Sequence, residues 1–133
     1  MKERNVIMKN LRNFGVVTGR LSKGLTVNNN RDGSRKIRLI IAAQDNYVDR
    51  DGKRNSQFIE LEAFIPASQE TNGAYEYLDC GDMVSVGYSV RNNNYKDKNG
   101  RAVYSQVLMA EEVILLESRA SKEARIAAKE AAS

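Results

Sequence analysis

The run SQFIELEAFI, residues 56–65, alternates with a period of two and so constrains the fold more than any other stretch. Ile59, Leu61, Ala63 and Ile65 share one side of an extended strand, while Phe58, Glu60, Glu62 and Phe64 share the other. The aliphatic side is a core face. The opposite side carries two phenylalanines beside two glutamates, which is not how a chain buries its aromatic rings. A segment of this kind demands a sheet with one face turned to water.

Three other stretches read as long strands around it. NFGVVTGRLSK (13–23) is rich in β-formers, with Gly15 and Gly19 marking bends or bulges. RKIRLIIAAQ (35–44) begins basic and turns apolar at its centre, and DMVSVGYSVRN (82–92) places Val84, Val86, Tyr88 and Val90 on one side. A fifth strand lies within AVYSQVLMAEEVILLES (102–118), with a kink expected near Ala110-Glu111. Between the strands, residues 24–34 and 45–55 carry the Asn, Asp and Gly of turns, and residues 92–101 form a polar hairpin turning at Asn99-Gly100. Pro66 opens a short helical segment over 66–82, broken near Asn72-Gly73.

The resulting order is three strands, a short helix, then two strands, followed by a C-terminal helical tail. That describes an all-β OB-fold, a five-stranded Greek-key barrel with its helix between strands 3 and 4, although other small barrels also use five strands. The expected organisation is an N-terminal arm over 1–12, the barrel over 13–117 and the tail over 118–133. The tail is rich in helix formers with no apolar stripe beyond Ile126, so it is expected to fray or dock weakly.

The formal net charge of +4 is modest, but its distribution is uneven. Through Phe58 the chain holds 13 Lys and Arg against 5 Asp and Glu, whereas residues 59–90 hold six acids and no base. Segregation of this kind gives the molecule a basic side. With no histidine and a single cysteine, Cys80, the chain offers no zinc set, disulfide framework or histidine-based catalysis. Cys80 reads as structural, and no cofactor and no metal is expected. Asp49-Arg50-Asp51-Gly52 is a turn and not a calcium loop, because the ligand frame would place Tyr47 first and Phe58 last. No stretch is long and apolar enough to span a membrane and the N-terminus lacks a signal-peptide core, so a cytoplasmic protein is expected.

Exposed rings beside basic loops are the means by which proteins stack unpaired bases. The rings in that setting are Tyr47, Phe58, Phe64 and Tyr95. The candidate phosphate contacts are Arg20, Lys36, Arg38, Arg50, Lys53, Arg54, Arg91, Lys96 and Lys98. A second reading is an OB module for protein contact or oligomerisation, supported by Glu60 and Glu62, and a third is an RNA-binding OB domain.

GRLSK (19–23), IAAQDNYVDRDGKRNSQFIELEAF (41–64), YLDCGDMVSVGYSVRNNNY (77–95) and RAVYSQVLMAEEVILLE (101–117) together resemble the bacterial single-stranded DNA-binding protein family. The resemblance covers about Asn13 to Glu117. It implies an OB-fold, a homotetramer, and sequence-tolerant binding of single-stranded DNA in replication, recombination or repair, without catalysis. Matched motif to motif, it places base-stacking aromatics at Tyr47, Phe58, Phe64 and Tyr95, and a basic residue at Arg91. The chain departs from the pattern in having no tryptophan and in carrying Glu60 where a basic residue is common. The acidic C-terminal tip that recruits other enzymes in the family has no counterpart in AKEAAS, so that role is not carried over.

Overall fold

The computed structural model describes residues 11–132. All but Leu11 and Arg12 of the expected N-terminal arm therefore lies outside the described residues. Among the described residues eight strands form: β1 (Gly15–Leu21), β2 (Thr26–Asn29), β3 (Arg35–Gln44), β4 (Ser56–Ile65), β5 (Met83–Asn92), β6 (Tyr95–Lys96), β7 (Ala102–Val103) and β8 (Gln106–Leu115). A helix, α1 (Arg119–Ala132), follows them. Six strands run in the order β1-β5-β8-β4-β3-β2, and an added β1–β3 pairing closes the five long ones into a barrel. Among the described residues only the β4–β8 contact is parallel; the other pairings are antiparallel. Closure removes the strand edges that would template aggregation.

The alternation read from the sequence is what fills the barrel. Ile37, Leu39 and Ile41 of β3, Leu61, Ala63 and Ile65 of β4, and Val84 and Val86 of β5 are buried, with Val17, Leu21, Leu78 and Ala110. The barrel pinches shut at Gly19, where a Cβ would collide with the backbone of Ala42. Gly15 serves similarly, because a Cβ there would lie 2.5 Å from the Tyr88 ring. The kink expected near Ala110-Glu111 is a bulge: Gly87 pairs Glu112 and Tyr88 pairs Ala110, leaving Glu111 unopposed.

Beyond Tyr88 burial no longer follows the expected parity, since Ser89 on the other face is buried while Val90 is only half-buried. There the carboxamide of Asn13 pairs the Val90 backbone, donating to its carbonyl and accepting its N–H, both at 2.9 Å. A side chain thus does the work of one more strand residue.

Two expectations are corrected. The short helix over 66–82 is only a 3-10 turn at Gly73–Tyr77. Gly73 has φ +61°, and Arg35 ties up the local acceptors, donating to Asn72 Oδ1 at 2.7 Å and to the Gln69 carbonyl at 2.6 Å. Together with its contact to the Thr71 carbonyl at 3.2 Å, Arg35 anchors the segment in a non-helical path. The loop over 24–34 contains β2, which pairs with Arg35–Arg38 at the basic start of β3.

α1 lies against the barrel through ions. Asp82, whose side chain is 0% exposed, accepts from Lys122 at 2.8 Å, Arg125 at 2.7 Å and the Asp79 N–H at 2.8 Å. Arg125 also reaches Glu117 at 3.1 Å, and Lys122 reaches Asp79 at 2.9 Å. The hydrogen bond from the Met83 N–H, assisted by Arg125 and Arg20, holds the Glu117 carboxyl below its ordinary pKa. A depressed folded-state pKa stabilises fully above the ordinary glutamate range and is lost as pH falls through the depressed value. Acidification below that range is expected to lower the melting temperature and the helical circular-dichroism signal together. Glu117→Gln should flatten this dependence; an unaltered acid profile in that variant would contradict the assignment.

Candidate nucleic-acid interface

The outer side of the barrel is set by the β3–β4 register. Lys36 opposes Phe64, Arg38 opposes Glu62, Ile40 opposes Glu60 and Ala42 opposes Phe58. Because facing residues share a side, these pairs form a ladder with an aromatic ring at each end. Phe58 and Phe64 lie six positions apart along the strand, a span of about 20 Å. β2 widens the ladder, placing Asn28 beside Lys36 and Thr26 beside Arg38.

All four rings singled out in the sequence stand in water. Phe58 is 69% exposed, Tyr47 64%, Phe64 57% and Tyr95 54%. Tyr47 lies on the loop between β3 and β4, and Tyr95 on the β6–β7 hairpin. The barrel brings Phe58 and Phe64 onto one face, and the two loops carry the tyrosines.

The glutamates between the rings are answered by cations one step along the ladder. Arg38 meets Glu60 at 2.7 Å and Lys36 meets Glu62 at 3.8 Å, crossing the register diagonally. Both pairs are partly solvated, where such contacts are worth at most about 1 kcal/mol. They cancel the local negative charge while leaving both cations able to exchange partners.

The remaining candidate cations fall into two groups. Arg20, Arg54 and Arg91 have internal partners. Arg20 donates to the Gly81 carbonyl at 2.9 Å and pairs Glu117 at 3.3 Å, which ties it to the docking site of α1. Arg54 donates to the Asp45 carbonyl at 2.8 Å, and Arg91 sits 3.7 Å from Glu111. Arg50, Lys53, Lys96 and Lys98 are exposed on the two loops, and among the described residues no acid pairs with them.

Both loops are built alike. Gly52 N–H donates to the Asp49 carbonyl and Asp49 N–H to the Lys53 carbonyl; Gly100, Asp97 and Arg101 repeat the pattern. In each loop the aspartate Oδ1 accepts two further amides, two and four residues on, at 2.9–3.0 Å. Gly52 and Gly100 have φ of 75° and 76°, the left-handed conformation that closes such a bulged turn. The sequence shows this as D-x-x-G followed by Lys or Arg. Hydrogen bonds to Lys53 and Asn55 hold the Asp49 carboxyl below its ordinary pKa.

Sequence reasoning did not single out Tyr104, the most exposed ring at 79%, or the buried Asp82 with its two helix cations. The spacing of Lys122 and Arg125, three apart on one helix face, was the available signal for the latter. Among the described residues no group of three or more His, Cys, Asp or Glu could hold a metal, and no helix is long and apolar enough to cross a membrane.

Comparison with known proteins agrees with this geometry. A single-stranded DNA-binding protein of Staphylococcus aureus is 23% identical over 111 residues, covering 84% of this chain and 69% of that protein. One from Enterococcus faecalis is 29% identical over 111 residues, covering 83% of this chain and 57% of its own length. The crystal structure of a mitochondrial single-stranded DNA binding protein from S. cerevisiae superposes with a TM-score of 0.55 at 18% identity, over 79% of this chain and 95% of that one. At that identity the likeness speaks to the barrel alone, and the OB-fold is common to both. Residues 13–116 match the model of the single-strand binding protein family, and the chain belongs to that family.

Proposed function

We propose that this chain binds single-stranded DNA without reading its sequence, protecting it during replication, recombination or repair, and that it does so without catalysis. The observation that carries this reading is the β4 ladder: two exposed phenylalanines at its ends, with Lys36 and Arg38 alongside on β3. The rings of Phe58 and Phe64 take nucleobases by stacking, which tolerates any base because every base has a π-face. Tyr47 and Tyr95 extend the path onto the loops. Lys36, Arg38, Arg50, Lys53, Lys96 and Lys98 hold the phosphates, with Arg54 and Arg91 behind them; Arg20 contributes least, being engaged with Gly81 and Glu117.

Several copies would lengthen the path, and a homotetramer is the proposed assembly. The outer side of the β1–β5–β8 sheet supports it, since Val16, Ile114 and Leu116 are each more than half exposed there. Solitary exposed aliphatics are ordinary, but Val16 on β1 and Ile114 on β8, on either side of β5, with Leu116 just past the end of β8, offer apolar area for such a contact.

Titration with oligo-dT at several salt concentrations tests the reading, with mass in solution followed in parallel. Tyrosine fluorescence should be quenched on binding. The logarithm of affinity should fall linearly with the logarithm of salt, by about 0.7 for each phosphate neutralised. No quenching and no retardation on a gel would leave the OB barrel as a protein-contact module. Preference for matched RNA over DNA would reassign the substrate.

A further inference from the structure

The β6–β7 hairpin carries a ring on each of its sides, and only one of them belongs to the path described above. Its register continues that of β5 and β8 without a shift: Asn92 opposes Gln106, Tyr95 opposes Val103 and Lys96 opposes Ala102. Asn94 therefore faces Tyr104. By alternation Tyr95 and Val103 share one side of the ribbon, while Asn92, Asn94, Lys96, Tyr104 and Gln106 share the other. On that second side lies a shallow open cleft of about 470 Å³, lined by Asn92, Asn94, Tyr104, Ser105 and Gln106.

We propose that this cleft is a second base-binding site, in which an unpaired DNA base stacks on Tyr104 and its edge is hydrogen-bonded by the carboxamides of Asn92, Asn94 and Gln106. The inference rests on the single-stranded DNA reading and deepens it. Tyr104 is 79% exposed, so its ring contributes nothing to the core that would explain its position. None of the three carboxamides is hydrogen-bonded to another described residue, and each offers both a donor and an acceptor. A stacking platform ringed by carboxamides suits the flat, polar-edged shape of a base better than it suits an apolar ligand. Lys96 lies on the same side, and Lys98 and Arg101 flank the turn at the tip. The strand thus passes over Tyr95, rounds the tip along these cations and returns across Tyr104. The hairpin is gripped on both sides.

Photocrosslinking with oligonucleotides carrying 5-iododeoxyuridine separates this inference from the reading beneath it. Adducts are expected on Tyr104 as well as on Phe58 or Tyr95. Adducts on Phe58 or Tyr95 with none on Tyr104 would overturn the second site and leave the binding function intact. Adducts on none of them would remove both. Affinity measurements supply an independent check. Tyr104→Ala should weaken oligo-dT binding by about fivefold or more at fixed salt, whereas Tyr104→Phe should retain affinity. The salt slope and the melting temperature should stay unchanged, because neither a cation nor a core contact is lost. Parental affinity in Tyr104→Ala would overturn the proposal.

Discussion

Alanine at both Phe58 and Phe64 lowers affinity for oligo-dT by at least about thirtyfold at constant salt, taking the lower end of roughly 1–3 kcal/mol for each ring–base stack. The two rings sit on the water side of β4, while their neighbours Leu61, Ala63 and Ile65 form the core. Removing them leaves the interior packing untouched, so the melting temperature should move little. The salt slope should also hold, because no cation is removed. Lys36→Ala with Arg38→Ala predicts the converse, a smaller cost in affinity and a shallower slope. The slope should change by less than the roughly 0.7 apiece of unpaired cations, because Glu62 and Glu60 already accompany them. Fluorescence titration of the double phenylalanine variant decides the matter. Binding within about threefold of the parent would show that bases do not stack on this face. A collapse in stability would show that the rings support the barrel instead.

Asp82→Ala has the largest expected effect on stability, about 3–5 kcal/mol, the usual consequence of removing one member of a buried ionic cluster. Asp82 is fully enclosed and holds Lys122, Arg125 and the Asp79 amide at once. α1 has no buried residue of its own, so little besides these charges fastens it to the barrel. Loss of the carboxylate should free the helix, reduce helical circular dichroism and lower the melting temperature by about 10 °C. Oligo-dT affinity at temperatures where the barrel survives should be nearly unchanged, since the ladder lies on β3 and β4. A variant melting within about 2 °C of the parent would show that the cluster merely decorates the surface.

The sequence revealed what alternation controls. SQFIELEAFI turns Ile59, Leu61, Ala63 and Ile65 inward as period two requires, and its water-side rings follow from the same parity. RKIRLIIAAQ, read only as apolar at its centre, turns Ile37, Leu39 and Ile41 inward and Ile40 outward beside Glu60. β2 escaped because TVNN is exposed along its whole length and so carries no hydrophobic signal. Its pairing depends on the partner strand β3. The 66–82 segment was misjudged for a related reason: Gly73 takes a left-handed φ, and Arg35, over thirty residues earlier, anchors its carbonyls in a non-helical path. The helix latch is equally non-local, joining residues some forty positions apart. The D-x-x-G turns were recognised as turns, but not as one device used twice. The face was therefore legible through its strands, whereas the crossed ion pairs of Glu60 and Glu62 depend on a register that only the folded barrel fixes.

Glu60 and Glu62 give this surface tethered counterions of its own. The guanidinium of Arg38 and the ammonium of Lys36 already have company, so on the proposed function an arriving phosphate would displace a covalently attached carboxylate rather than a drifting chloride. The displaced group remains within a few ångströms and competes to return. On the proposed function, such a surface would hold its strand more by its rings than by its charges, and would let the backbone pass from one cation to the next. Its grip would then lose less to added salt than that of a bare lysine track.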